Sequence, residues 1–250
     1  MDFMKTYQAQ CCERFGYLGF KKLGNTHWRV VNDVIQTFHL QRGRGGLSWC
    51  RIQFGITPLC FGFSRNFVWH GCAPNFNHTV FPDCTIWQWQ YDSKSEESIL
   101  ECIESLIEYI QTFLITYFER GIDCMSAREE NLKLFHSMFE QRCAFLRDNP
   151  WQRQYTVSDE EYKKRLSGGE GECYMALKTG AYAIAAEYFS NLVAARSKLN
   201  EAEQSEKDKE YIKGWNQLLE RALAQDNDFF ARYLAANERK SRIALGLEKE

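Results

Sequence analysis

A long amphipathic helix is the element that this sequence specifies most strongly. Between positions 99 and 117, apolar residues recur at steps of three and four, which places them on one face of a helix. Ser93 and Glu96 have the spacing of a capping box before this run, and Gly121 has the position of a helix C-cap. The apolar face consists of Ile99, Ile103, Leu106, Ile107, Ile110, Phe113, Leu114 and Tyr117. A helix over 96–120 with one apolar face needs a second apolar surface to cover.

Short alternating runs before the helix predict that this surface is a β-sheet. Residues 26–31 and 34–42 alternate apolar and polar side chains, and Asn32-Asp33 between them is typical of a tight hairpin. Residues 47–56 and 85–91 add two further strands. We therefore predict an α+β fold in which an antiparallel sheet of about four strands is backed by the 96–120 helix. The apolar sheet face is assigned Trp28, Val30, Val34, Phe38, Leu40, Cys50, Ile52, Phe54 and Ile56.

The chain changes character near Gly121, because almost every later segment has a helical period. A glycine-rich connector at 167–171 and Gly180 interrupt these helices. This pattern predicts two domains, an α+β domain over 1–121 and an all-helical C-terminal region over 122–250. The segment 58–84 holds three of the four prolines and has no clear period, so we predict a long irregular excursion there.

Cysteine usage and the absence of a leader-like apolar stretch predict a cytoplasmic protein. The most apolar segment contains Glu101, Glu104 and Glu108, which is incompatible with a transmembrane helix. The ten cysteines include no Cys-x-x-Cys pair, so we expect a reducing compartment and no structural disulfides. No membrane association is predicted.

Charge is separated along the first half of the chain. Residues 1–91 hold nine Lys and Arg against four Asp and Glu, whereas residues 92–120 hold two against seven. The net charge of the chain is −2, which excludes a globally basic nucleic-acid-binding protein but leaves a local basic patch open.

Two segments carry resemblances to known families. The motif Gly-Phe-Lys-Lys-Leu-Gly-Asn at 19–25, followed by Ile-Gln-Thr-Phe-His-Leu-Gln-Arg at 35–42 and Ile-Gln-Phe-Gly-Ile at 52–56, resembles the bacterial family called domain of unknown function 4304. The resemblance covers about residues 1–121 and implies an α+β domain, usually cytosolic and bacterial, with no known activity. A weaker resemblance, near 172–195, is to a tetratricopeptide helix pair, although no second copy follows.

The polar face of the predicted sheet is the candidate binding surface. Its Arg side chains can form charge-assisted hydrogen bonds with an anion, and its Trp offers a flat contact area. A charged His39 in contact with an anion would make binding pH-dependent near neutrality. The alternative is a face that is solvated or covered by helices of 122–250. The candidate ligand- or partner-binding residues are Arg29, His39, Gln41, Trp49, Arg51 and Gln53, with His27 and Thr37 on the same predicted face.

The sequence contains little that indicates catalysis or a cofactor. Two His and two Cys in the irregular excursion, His70, Cys72, His78 and Cys84, have donor types suited to zinc, but their spacing matches no standard site. We therefore predict no metal and no cofactor, and no catalytic residue can be assigned.

These observations favour a cytosolic binding or interaction protein over an enzyme. A protein partner is the favoured ligand, with nucleic acid as a less favoured one, and a bacterial accessory, immunity or defence role follows from the family resemblance alone. The alternative is an enzyme that acts on a small molecule or nucleic acid through the polar sheet face. Nothing in the sequence defines the oligomeric state.

Overall fold

The computed structural model describes residues 1–43, 48–62, 89–155, 158–160, 170–197 and 205–249. These residues form two compact units, one within 1–57 and 65–167 and the other within 58–64 and 168–250. The predicted division after residue 121 differs from this arrangement, because the helix that follows Gly121 belongs to the first unit. Its Asn131 side chain accepts a hydrogen bond from the hydroxyl of Tyr117 on the preceding helix.

The first unit begins with an α-helix, α1 (Phe3–Phe15), whose N-cap is Asp2. The Asp2 carboxylate accepts hydrogen bonds from the backbone N–H groups of Met4 and Lys5. The apolar positions at helical spacing, Tyr7, Cys11 and Phe15, are all buried. A short 3₁₀ turn then leads into the sheet.

Five strands form an antiparallel sheet in sequential order, which confirms the predicted α+β class with one strand more than expected. The strands are β1 (Lys21–Leu23), β2 (Thr26–Val31), β3 (Val34–Gly43), β4 (Ser48–Pro58) and β5 (Trp89–Tyr91). The predicted hairpin joins β2 to β3, with Val31 paired directly to Val34. Asn32 has a φ of 50°, the left-handed conformation that such a two-residue turn requires.

The long amphipathic helix is present and covers the sheet. It consists of α2 (Glu96–Tyr109), a π-helical turn (Ile110–Leu114) and α3 (Ile115–Arg120). The predicted capping box was wrong: the N-cap is Ser95, whose hydroxyl accepts a hydrogen bond from the Ser98 backbone N–H. The π-helical turn was not predicted either.

The apolar faces of the sheet and helices meet as expected. The rings of Phe54 and Phe113 are 5.8 Å apart, and those of Phe15 and Phe38 are 6.2 Å apart. Ile110 is fully buried with the rest of the inner helix face. We call this side of the sheet the helix-covered face; it carries Phe38, Cys50, Ile52, Phe54 and Ile56.

The next helix of the first unit is α4 (Cys124–Asp148), and a 3₁₀ helix (Pro150–Tyr155) follows it. The N-cap of α4 is Asp123, which forms a capping box with Ser126. The Cys124 backbone N–H donates a hydrogen bond to the Asp33 carboxylate, which ties α4 to the turn between β2 and β3.

The second unit contains four described helices and a short segment from the first half of the chain. The helices are α5 (Glu170–Lys178), α6 (Tyr182–Ser197), α7 (Glu206–Leu223) and α8 (Asn227–Ala244). Gly180, with a φ of 76°, breaks the chain between α5 and α6 as predicted. The 3₁₀ turn Leu59–Phe61 packs into this unit, where Cys60 joins a core with Cys173, Phe189 and Phe230. None of the described helices is long and apolar enough to cross a membrane.

Candidate binding patch on the sheet

The side of the sheet opposite α1 and α2 carries most of the predicted site residues. Cys50 contacts Cys102 of α2, so the alternation of β4 directs Trp49, Arg51 and Gln53 to the opposite side. The Arg51 Nε donates a hydrogen bond to the Gln41 side-chain oxygen, which places Gln41 of β3 on that side too. We call this side the distal face. It carries Trp28, Ile35, Thr37, His39, Gln41, Trp49, Arg51, Gln53 and Thr57.

Burial divides the distal face into two parts. Ile35, Thr37, Gln53 and Thr57 are buried, so Gln53 is not available as a surface contact. His39, Gln41, Trp49 and Arg51 are only half-buried. We call these four residues the Trp49–Arg51 patch. It lies where β3 ends and β4 begins.

Arg51 is held in a defined orientation within this patch. Its Nε is 2.6 Å from the Gln41 oxygen, and its guanidinium carbon lies 5.8 Å from the centroid of the Trp49 ring. Among the described residues, no carboxylate lies within ion-pair distance of Arg51. The guanidinium therefore keeps donors that an external anion can use.

Trp49 is positioned by the backbone of the neighbouring strand. Its indole lies directly over Gly43, where an added Cβ would overlap the ring. Glycine at position 43 is thus required for the observed position of the indole. On the other side, Trp49 pairs with Gln90 of β5.

His39 is neutral near physiological pH. Burial lowers the pKa of His39 to about 4, and its Nδ1 is 2.9 Å from the Thr26 hydroxyl. This lowered pKa opposes the expected pH dependence of binding near neutrality, because His39 carries no charge there before an anion binds. His39 therefore adds a neutral imidazole, not a positive charge, to the patch.

Arg29 does not lie with the other predicted site residues. The β2–β3 register pairs Arg29 with Gln36 and His27 with Phe38, on the helix-covered face. The Arg29 Nε donates to the Gln36 side chain and its Nη1 donates to the Leu18 carbonyl. Burial lowers the pKa of Arg29 below its ordinary value. Its role is to join β2 to the preceding turn, and the opposite placement inferred from the sequence was wrong.

The first unit carries several cations that lack a carboxylate partner. No Lys or Arg in the described ranges 1–43 and 48–57 forms an ion pair with Asp or Glu. Four of these cations lie over aromatic rings: Lys21 over Trp28, Arg29 over Phe20, Arg42 over Phe3 and Arg51 over Trp49. The sheet therefore has a local positive character even though the whole chain is slightly acidic.

The metal-site candidates His70, Cys72, His78 and Cys84 lie outside the described residues. Within the ranges that are described, no group of three or more His, Cys, Asp or Glu residues is arranged to hold a metal ion. Sequence analysis missed one arrangement of chemical interest, the contact between the Cys50 and Cys102 thiols. The sequence contains part of the information for this contact, because both cysteines occupy inward-facing positions of their predicted elements.

Comparison of the chain with family models, curated proteins and solved structures found no match. The resemblances to domain of unknown function 4304 and to a tetratricopeptide pair therefore stay predictions.

Proposed function

We propose that this protein is a cytoplasmic, non-enzymatic interaction protein that binds an acidic protein partner through the Trp49–Arg51 patch. The observation that carries this proposal is the half-buried Arg51, which Gln41 orients and no described carboxylate neutralises. An anchored guanidinium loses little conformational freedom when it binds a carboxylate, so more of the interaction energy remains as affinity.

The position of Trp49 supports the same function. Tryptophan and arginine are enriched among the residues that dominate protein–protein affinity. Because its ring lies against Gly43 and is only half-buried, Trp49 has a defined orientation and keeps part of its surface available to a partner. The two side chains together suit an acidic segment that also carries an apolar residue.

A protein partner suits the patch better than a nucleic acid. Binding to a nucleic-acid strand depends on many phosphate contacts along a continuous basic groove, with stacking on several aromatic rings. The Trp49–Arg51 patch offers one oriented guanidinium and one ring. A bacterial accessory, immunity or defence role is compatible with this binding function and is suggested by the resemblance of residues 1–121 to domain of unknown function 4304.

Binding of defined probes tests the proposal. We expect a fluorescent 20-residue polyglutamate peptide to bind the full chain more tightly than a Gly-Ser peptide or an oligo-dT of equal length. Arg51→Ala should weaken peptide binding about tenfold, the typical effect of removing an interface anchor. Arg14→Ala is the matched control, because it removes an exposed charge from α1. Equal losses in both variants would contradict a defined patch, and a preference for oligo-dT would favour nucleic acid.

A second variant separates the shape of the patch from its charge. Gly43→Ala should displace the Trp49 indole and weaken peptide binding without changing the net charge. Gly214→Ala serves as its control, since an added Cβ there meets no atom within 4 Å. Thermal melting of each variant shows whether the fold is retained. Unchanged peptide affinity in a folded Gly43→Ala protein would exclude Trp49 from the interface.

A further inference from the structure

Two cysteines from distant parts of the chain contact each other in the first unit. Cys50 lies on the helix-covered face of β4 and Cys102 lies on the inner face of α2, 52 residues later. Their Sγ atoms are 3.7 Å apart, which is van der Waals contact between two sulfurs. Cys50 is completely buried, whereas Cys102 retains 6% of its surface exposed.

This contact distinguishes the pair from the other described cysteines. The Cys60 thiol is directed toward the Tyr174 carbonyl and the Cys124 thiol toward the Asp33 carbonyl, as expected for buried cysteines that act as small core residues. Only Cys50 and Cys102, among the cysteines that the structure describes, have a second sulfur as their hydrogen-bonding neighbour.

The two sulfurs also differ in their tendency to ionise. The hydrogen bond with Cys50 lowers the pKa of the Cys102 thiol below its ordinary value, while the same contact and burial raise the pKa of Cys50. Both residues are buried, and Cys102, which keeps a small exposed fraction, is also the one whose ionisation is favoured.

We propose that Cys50 and Cys102 are a redox-active thiol pair, which a small-molecule disulfide such as glutathione disulfide converts into an intramolecular disulfide that links β4 to α2. The pair lies on the opposite side of β4 from the Trp49–Arg51 patch. Its oxidation is thus a property separate from partner binding.

The reaction proceeds by two thiol–disulfide exchanges. The Cys102 thiolate attacks one sulfur of glutathione disulfide, forms a mixed disulfide and releases one glutathione thiolate. Cys50 then attacks the Cys102 sulfur, and the second glutathione leaves as a thiolate that takes up the Cys50 proton. The protein loses two electrons and two protons, and glutathione disulfide gains the electrons to become two glutathione molecules.

The new bond would stabilise the first unit. The disulfide would close a loop of 52 residues and restrict the unfolded chain, while the sulfurs would need to approach each other from contact distance to about 2.05 Å. Because this movement introduces some strain, we expect an increase in melting temperature of about 5 °C rather than the full entropic effect.

Peptide mapping of the full-length protein tests the proposal. The folded, fully reduced chain is incubated without oxygen in glutathione buffers of increasing oxidised fraction, alkylated and digested under non-reducing conditions. We expect a cross-linked peptide that joins Cys50 to Cys102, with the loss of two hydrogens and full reversal by dithiothreitol. Cys102→Ala should abolish that peptide and the rise in melting temperature, whereas Cys12→Ala, which removes an exposed thiol, should leave both intact.

The wild-type peptide map decides the outcome even if Cys102→Ala fails to fold. Glutathione attached to Cys102 without closure to Cys50 would overturn the proposal, as would oxidation confined to other cysteines. Unreacted Cys50 and Cys102 under conditions that modify the exposed Cys12 would overturn it as well.

Discussion

His27 shows how burial changes the chemistry of a single residue. Its ring stacks on Phe38 at 4.8 Å, and only 2% of the residue is exposed. Neither ring nitrogen has a hydrogen-bonding partner among the described residues. Burial therefore favours the neutral imidazole and lowers the pKa of His27 to about 4.

This environment predicts a loss of stability in mild acid. The unfolded chain binds a proton at His27 below a pH of about 6.5, whereas the folded protein does so only near pH 4. The contribution of the buried, neutral His27 to the free energy of unfolding is therefore complete above about pH 6.5, and it is lost as the pH falls toward 4. Between pH 7 and pH 4.5 the free energy of unfolding should decrease by about 2 kcal/mol from this group alone.

Urea unfolding of His27→Phe at both pH values measures this contribution. Phenylalanine keeps the stacked ring and removes the titrating nitrogens. The decrease in the free energy of unfolding between pH 7 and pH 4.5 should therefore be smaller in this variant than in the wild-type protein by about 2 kcal/mol. His136→Phe, at an exposed position of α4, should retain the wild-type decrease. An unchanged decrease in His27→Phe would show that His27 does not cause the acid sensitivity.

At the scale of elements, the hairpin explains why one part of the candidate surface was misplaced. A two-residue turn pairs Val31 directly with Val34, and paired residues share a face. It follows that Arg29 lies beside Gln36 on the helix-covered face. The composition of β2 alone suggests the reverse, because Trp28 and Val30 are its more apolar residues. The register imposed by the turn is stronger than the polarity of a single strand.

The other predicted elements depended on longer patterns and were more reliable. The alternation along β3 and β4 correctly placed His39, Gln41, Trp49 and Arg51 on one side. The exact helix cap was wrong because Ser93 and Ser95 are equally suitable residue types, and only the start of the apolar period separates them. The burial of Gln53 depends on what surrounds the sheet, which strand parity does not reveal.

The long helix carries the clearest prediction at this scale. Ile110 is fully buried where α2 passes into the π-helical turn, within the helix face that packs on the sheet. Ile110→Ala should lower the free energy of unfolding by about 3 kcal/mol, the usual cost of a cavity of this size. Gln111→Ala, at the next and exposed position, is the control and should change it by less than about 0.5 kcal/mol. Comparable losses in chemical denaturation of the two variants would contradict this packing.

At the scale of the molecule, the second unit is discontinuous in sequence. The segment 58–62 leaves β4 and enters the helical unit, where the Ser241 hydroxyl donates a hydrogen bond to the Leu59 carbonyl. Gly62, with a φ of 87°, lies against the side chain of Asn237. No local period indicates such a segment, because its apolar residues complete a core built about 110 residues later in the chain. Sequence patterns alone therefore predict the helices of this unit, but they do not show that the segment 58–62 belongs to it.

This arrangement predicts that Leu59 contributes to the stability of α8, whose Ser241 hydroxyl donates to its carbonyl. Leu59 is fully buried, so Leu59→Ala should leave a cavity beside the Ser241 hydrogen bond and lower the free energy of unfolding by about 3 kcal/mol. Hydrogen exchange of the α8 backbone amides should accelerate by about a hundredfold, because this is the factor that corresponds to a decrease of about 3 kcal/mol in the free energy of opening. Leu223→Ala, which truncates a residue that is 69% exposed, should leave exchange unchanged. An unchanged exchange rate of α8 in Leu59→Ala would contradict this prediction. It would mean that the helices of the second unit are stable without the segment 58–62, and a fragment of 168–250 would then be expected to fold alone.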